Sequence, residues 1–208
     1  MEHLWLYAVL VAGIVVLPGM DMAFVLASTL VDGRRSGAAA VAGIVLGGMV
    51  HVAMGALGVG LLLQHVPMAF NALLLAGSLY VAWMGCGLLR NTQALSHVQD
   101  QPSRALHSTF ARATLTCLMN PKAYIFMLAV FPQFIRPQLG NIAAQSIALG
   151  AITAAAQIAV YGAVVLVAVQ LRVWLRGSSK SQTTFSHWLG GLLVLTAVWT
   201  LWMGWRVA

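Results

Sequence analysis

The chain has 208 residues, 61% of them apolar and only 7% charged, where soluble domains carry roughly 25% charged residues. That composition excludes a soluble globular protein. A net charge of +7 raises nucleic acid as a partner, but no basic stripe interleaved with aromatics appears, so none is expected.

Six apolar runs, at 4–30, 38–63, 67–89, 113–135, 142–171 and 187–206, are long enough to span a hydrocarbon core, which takes about 20 helical residues. An all-α integral membrane fold follows, with lipid around it. The first run has no Lys or Arg before it and is too long for a cleaved leader, so it is expected to be retained.

That first run is interrupted by Pro18-Gly19, with Asp21 just beyond. Proline removes a backbone donor and clashes with the preceding turn, and glycine permits an unwound joint. In lipid the freed backbone groups are tolerated only where they are buried in protein or line a cavity.

The second run carries Gly43 and Gly47 as a small-xxx-small pair, followed by Gly48, Gly55, Gly58 and Gly60. Such a stripe serves close packing within one chain first, with a homodimer interface as the second reading. His51 lies in the same run; it suits a proton pathway or a bond to a neighbouring carbonyl. The third run holds Cys86, which with Cys117 makes no disulfide framework; both are expected to be buried and reduced.

The long connection 91–111, containing Pro102, divides the chain into halves of about 1–90 and 112–208 within a single transmembrane domain, 1–208. The fourth run is interrupted at Asn120-Pro121-Lys122, an N-cap followed by proline at the first helical position. Thr114, Thr116 and Cys117 precede that break and are placed to bond freed carbonyls. In the fifth run Gln157 and Tyr161 lie one turn apart and share a face, lining a pathway or bonding between helices.

Orientation follows from the bases. With the N-terminus outside, the cytoplasmic connections hold Arg34, Arg35, Arg90, Arg104, Arg112, Arg172, Arg176 and Lys180, and the outer side only Arg136 and Arg206. Both termini then face outward. Trp5, Trp188, Trp202 and Trp205, in the first and last runs, are expected at the membrane interface. Three spans per half put the second half in upside down, so the expected fold is two inverted three-helix repeats with helices 1 and 4 broken at corresponding places.

A charge at bilayer depth costs about 2.5–3.5 kcal/mol on insertion scales. Asp21 and Lys122 are the two such charges, each beside a break. Two half-helix N-termini, a carboxylate and an ammonium suit a zwitterion, so Asp21, Asn120, Pro121, Lys122, Pro18 and Gly19 are candidate substrate-binding residues. Asp21, His51, Gln157 and Tyr161 are candidates for the pathway or for protons. The structural alternative is that Asp21 caps its half-helix and Lys122 neutralises it. No metal site and no cofactor are expected: ligand residues are few in the spans, and no phosphate-cradling glycine loop follows a strand. No elbow or triad spacing supports an enzyme.

Leu17-Pro18-Gly19-Met20-Asp21, Asn120-Pro121-Lys122, Phe131-Pro132-Gln133-Phe134, Gly33-Arg34-Arg35-Ser36-Gly37 and Tyr80-Val81-Ala82-Trp83-Met84-Gly85 together resemble the LysE/RhtB amino-acid exporters over nearly the whole chain. Met20 departs from that pattern, where a second proline is usual. The resemblance implies a six-span carrier of a prokaryotic inner membrane that exports amino acids or close derivatives by proton antiport. A metal-ion or other small-solute exporter of the same architecture is the alternative.

Overall fold

A computed structural model describes residues 2–57, 67–90, 105–136, 138, 140–175 and 179–205, and every regular element among them is helical. In chain order these are α1 (Glu2–Val16), α2 (Met20–Asp32), α3 (Arg34–Ala56), α4 (Pro67–Arg90), α5 (Leu106–Leu118), α6 (Pro121–Ala129), α7 (Phe131–Phe134), α8 (Ile142–Leu175) and α9 (Ser179–Gly204).

Both expected interruptions are present. α1 stops before Pro18, where the residue ahead of a proline is driven out of helical geometry, and α2 leaves at 57° to it. α5 and α6 meet at 53° across Met119-Asn120. Three described helices are unbroken, apolar and long enough to cross a membrane: Arg34–Ala56, Ile142–Trp174 and Thr183–Trp202. Each bent pair adds one more if it is a single span, and Leu74–Arg90 is a shorter apolar stretch of α4. The protein is therefore a helical, multi-pass membrane protein.

Several boundaries differ from the sequence reading. The second run ends as helix at Ala56 rather than residue 63, and Gly58, Gly60 and residues 61–63 lie outside the described residues. α5 begins at Leu106, so the long connection ends before Leu106 instead of at 111; residues 91–104, with Pro102, lie outside the described residues. The early start has a packing cause. Thr109 is buried and shares a hydrogen bond with Ser36 at 3.2 Å, which holds polar first turns against α3. α9 likewise starts at Ser179, eight residues before the apolar run, because a helix satisfies its own backbone whether or not its side chains are apolar.

Gly33 ends α2 with φ 87°, a left-handed conformation glycine adopts without strain, and its N–H bonds the Thr29 carbonyl at 3.0 Å. The small-residue stripe packs within the chain. A Cβ on Gly43 would strike the Phe110 carbonyl and Ala113, and one on Gly47 would lie 2.6 Å from the Cys117 Cβ. On the other side of the molecule α4 and α9 meet at two glycines, where a Cβ on Gly85 would lie 2.8 Å from the Gly190 carbonyl. Absent a hydrophobic drive between helices in lipid, such close approach recovers dispersion energy instead.

α3 packs along α5 and α8, while α4 packs chiefly on α9 and touches the rest near the two breaks. Tyr7, Val11, Ile44, Cys117, Phe131 and Tyr161 are among the buried residues of the main core. Outside, Trp5, Trp83, Trp188, Trp199 and Trp202 are exposed, as a lipid-facing surface allows. Cys117 is buried and Cys86 half-buried, both free thiols.

Candidate functional site

The second break builds itself from local chemistry. The Asn120 side-chain oxygen accepts from the Lys122 backbone N–H at 3.0 Å, with Pro121 at the first helical position of α6. That is the N-cap the sequence suggests. The Asn120 N–H bonds the Cys117 carbonyl at 3.0 Å, closing the end of α5.

At the first break the N-cap of α2 is Gly19, which has no side chain to cap with. Asp21 is therefore not the cap; it sits inside the first turn and is buried. The Leu17 carbonyl, at the break itself, is taken by the other half of the chain, as the Lys122 ammonium donates to it at 2.8 Å. Lys122 thus ties the two breaks together.

Asp21 does not form a hydrogen bond with Lys122. Its Oδ2 accepts from the Tyr161 hydroxyl at 3.5 Å, long for an O–H···O bond, and its Oδ1 is buried without a partner. The two charges therefore attract each other across the site without a direct hydrogen bond between them.

These groups surround a cavity of about 60 Å³. Asp21, His51, Asn120, Lys122, Gln157 and Tyr161 all line it, so it collects six of the nine sequence candidates. The remaining three, Pro18, Gly19 and Pro121, line a second cavity of about 40 Å³, together with Ser78 and Thr196. Asn120 and Lys122 border both cavities.

The larger cavity is rich in unsatisfied polar atoms. Asp21 Oδ1, His51 Nδ1, Asn120 Nδ2 and Gln157 Oε1 are all buried and unpartnered. Buried polar groups are normally hydrogen-bonded, since leaving one unmade costs about 1–3 kcal/mol. Their gathering around one cavity suits a polar occupant.

His51 Nε2 lies 3.0 Å from the Cys117 carbonyl, which can only accept, so in the neutral ring the proton is on Nε2 and Nδ1 is a bare acceptor. The ring stands edge-on against Tyr124, with centroids 4.6 Å apart. Gly48 makes room for Gln157, because a Cβ there would lie 2.6 Å from Gln157 Oε1.

The threonines before the second break do something other than expected. Thr114 donates to the Phe110 carbonyl, with the Gly43 carbonyl equally close at 3.0 Å, and Thr116 donates to the Arg112 carbonyl at 2.7 Å. They bond one turn back or across to α3, leaving the carbonyls at the break to Asn120 and His51.

Sequence reasoning missed three residues of these cavities. Tyr7 and Thr153 pair at 3.0 Å from opposite ends of the chain and line the larger cavity, and Ser78 lines the smaller. Each is a hydroxyl within an apolar run, too common a pattern to mark a site on its own. Among the described residues, no three His, Cys, Asp or Glu side chains cluster as metal ligands do.

A family model described as LysE type translocator matches residues 12–204. Among similar proteins, an uncharacterized membrane protein of Pseudomonas aeruginosa is 30% identical over 197 residues, covering 91% of this chain and 90% of the relative. The homoserine/homoserine lactone efflux proteins of Salmonella typhi and Salmonella typhimurium are each 29% identical over 178 residues, covering 86% of this chain and 85% of theirs. No solved structure matches.

Proposed function

This chain belongs to the LysE-type translocator family, and from that premise we propose that it exports a small amino acid or close derivative from the cytoplasm in exchange for protons. The observation that carries the reading is the larger cavity, which a buried carboxylate and a lysine line together with His51 Nδ1 and Gln157 Oε1, both buried without a partner. A zwitterion supplies the opposite charge to each. The Salmonella relatives, named for homoserine and its lactone, are in keeping with that cargo. A metal cation fits less well, because Lys122 would repel it.

In this reading ionised Asp21 holds the substrate ammonium, and a proton arriving from outside displaces it, since one carboxylate cannot hold both. Lys122 and Asn120 hold the carboxylate. Gln157, Tyr161 and His51 complete the pathway. The proton then moves inward with the membrane potential, worth about 2.3 kcal/mol per charge per 100 mV.

The architecture is six spans in two inverted repeats within a single domain, 1–208. Support comes from how corresponding helices pair. α3 lies along α8, α4 along α9, and the two broken spans are joined by the Lys122–Leu17 bond. The inner membrane of a prokaryote, with both termini outside, is the placement that fits the charge bias of the connections. Gly43 and Gly47 are used inside the chain, so a homodimer, if formed, uses another face.

The test is efflux of labelled L-homoserine from proteoliposomes under an imposed pH gradient. Wild type should respond to the gradient, and Asp21→Asn should move substrate without responding or not at all. An unchanged pH response in Asp21→Asn removes Asp21 from the proton role. Failure of wild type to carry any amino acid removes the cargo.

A further inference from the structure

The two cavities that meet at Asn120 and Lys122 differ in hydrogen-bonding character. The unpartnered atoms confined to the larger one are acceptors: Asp21 Oδ1, His51 Nδ1 and Gln157 Oε1. The smaller one has donors on its wall, beside Thr200 and Thr196, whose own hydroxyl donates to the Leu193 carbonyl. Asn120 Nδ2 is one: with Oδ1 capping α6 it faces the Asp21 carboxylate, and an amide nitrogen has a second N–H beyond the one that Asp21 can take. Lys122 is another, with N–H bonds to spare beyond the one on Leu17.

Ser78 is a third donor. It is 3% exposed, sits in the middle of α4, lines the smaller cavity, and its hydroxyl has no partner. A serine inside a helix ordinarily bonds the carbonyl a turn back, and Ser78 does not. The fourth contribution is the start of α2, a 13-residue helix whose N-cap Gly19 borders the same cavity and offers no side-chain cap. Its first N–H groups and dipole favour an anion.

We propose that the smaller cavity is the carboxylate subsite, with Ser78 as a binding residue, and that the substrate straddles the Asn120–Lys122 wall with its ammonium in the larger cavity. This rests on the amino-acid reading above and deepens it. Adjacent subsites are what an α-amino acid needs, because its two charged groups hang from one carbon. The acceptors of the larger cavity match the three N–H bonds of an ammonium. The smaller cavity, at about 40 Å³, takes a group of carboxylate size. Ser78 and the α2 start would then recognise a feature common to all amino acids, leaving side-chain choice to the apolar wall of the larger cavity around Val11, Phe126 and Phe131.

The experiment compares two ligands on the reconstituted full chain. L-homoserine carries the carboxylate; L-homoserinamide keeps the ammonium and side chain but lacks that charge. The KM for homoserine efflux and the inhibition constant of the amide are measured for wild type, Ser78→Ala and Ser78→Thr. Ser78→Ala should raise the homoserine KM about tenfold while the amide constant stays within about twofold, as expected for a lost hydrogen bond to a charged group. Ser78→Thr, which keeps the hydroxyl, should stay near wild type.

Equal shifts for both ligands, or no shift for either, overturn the assignment. Should Ser78→Ala fail to reach the membrane, Ser78→Cys, a weaker donor of similar size, is judged by the same two constants. Wild-type transport with unaltered selectivity in these variants defeats only the carboxylate subsite. Absence of amino-acid transport by wild type defeats the earlier reading instead.

Discussion

The two breaks do the same job with different means. The second is satisfied by its own neighbourhood: Asn120 caps α6 through its side chain and closes α5 through its N–H. The first is incomplete alone. Gly19 cannot cap α2, and Leu17 depends on a lysine 105 residues away. One break is thus a fixed frame and the other is open to a ligand, a difference that follows from one side chain being asparagine and the other glycine.

The largest test of that contrast is Lys122→Gln. It removes both the partner of Leu17 and the charge proposed to hold the substrate carboxylate, so efflux should be abolished. Unfolding should also become easier by about 1.5–3 kcal/mol, the worth of a hydrogen bond to a charged group. Thermal melting in detergent alongside the flux assay checks both. A variant that melts early yet transports normally would reduce Lys122 to a clamp.

Asn120 separates framing from binding. Asn120→Ala loses the cap and should cost about 0.5–2 kcal/mol of stability. Asn120→Asp retains an oxygen to cap with but turns the Nδ2 donor into an acceptor, so it should melt near wild type and transport poorly. Normal transport by Asn120→Asp would show that the donor is not used.

The smallest effect is expected at Gly19, which has φ −178°, an extended conformation open to any residue. A Cβ there would lie 3.4 Å from Lys122 Nζ, an ordinary contact. Gly19→Ser should supply the missing cap, raise stability by roughly a few tenths of a kcal/mol and slow turnover by occupying the N–H groups at the start of α2. Faster turnover in that variant would mean that the open start of α2 is not where substrate docks.

Much of this was legible from residue order. Asn-Pro announces its own cap, proline ends a helix wherever it falls, and isolated charges in apolar runs point to a site because few environments tolerate them. Ser78 was illegible, because one hydroxyl among apolar residues is commonplace until its missing partner is seen. The early start of α5 was also hidden, since its polar first turns are held by Thr109 against Ser36 across 73 residues of chain.

Residue order by itself determined that this protein lives in a membrane, where its helices break, and which charged groups fall inside apolar runs. Those are consequences of side-chain solvation and backbone chemistry within a few neighbouring residues. Only the tertiary structure decided that Lys122 bonds Leu17 rather than Asp21, and that Ser78 lines a cavity adjoining the one around Asp21, His51 and Gln157. Such pairings depend on distances between helices remote in the chain, and no local rule encodes them.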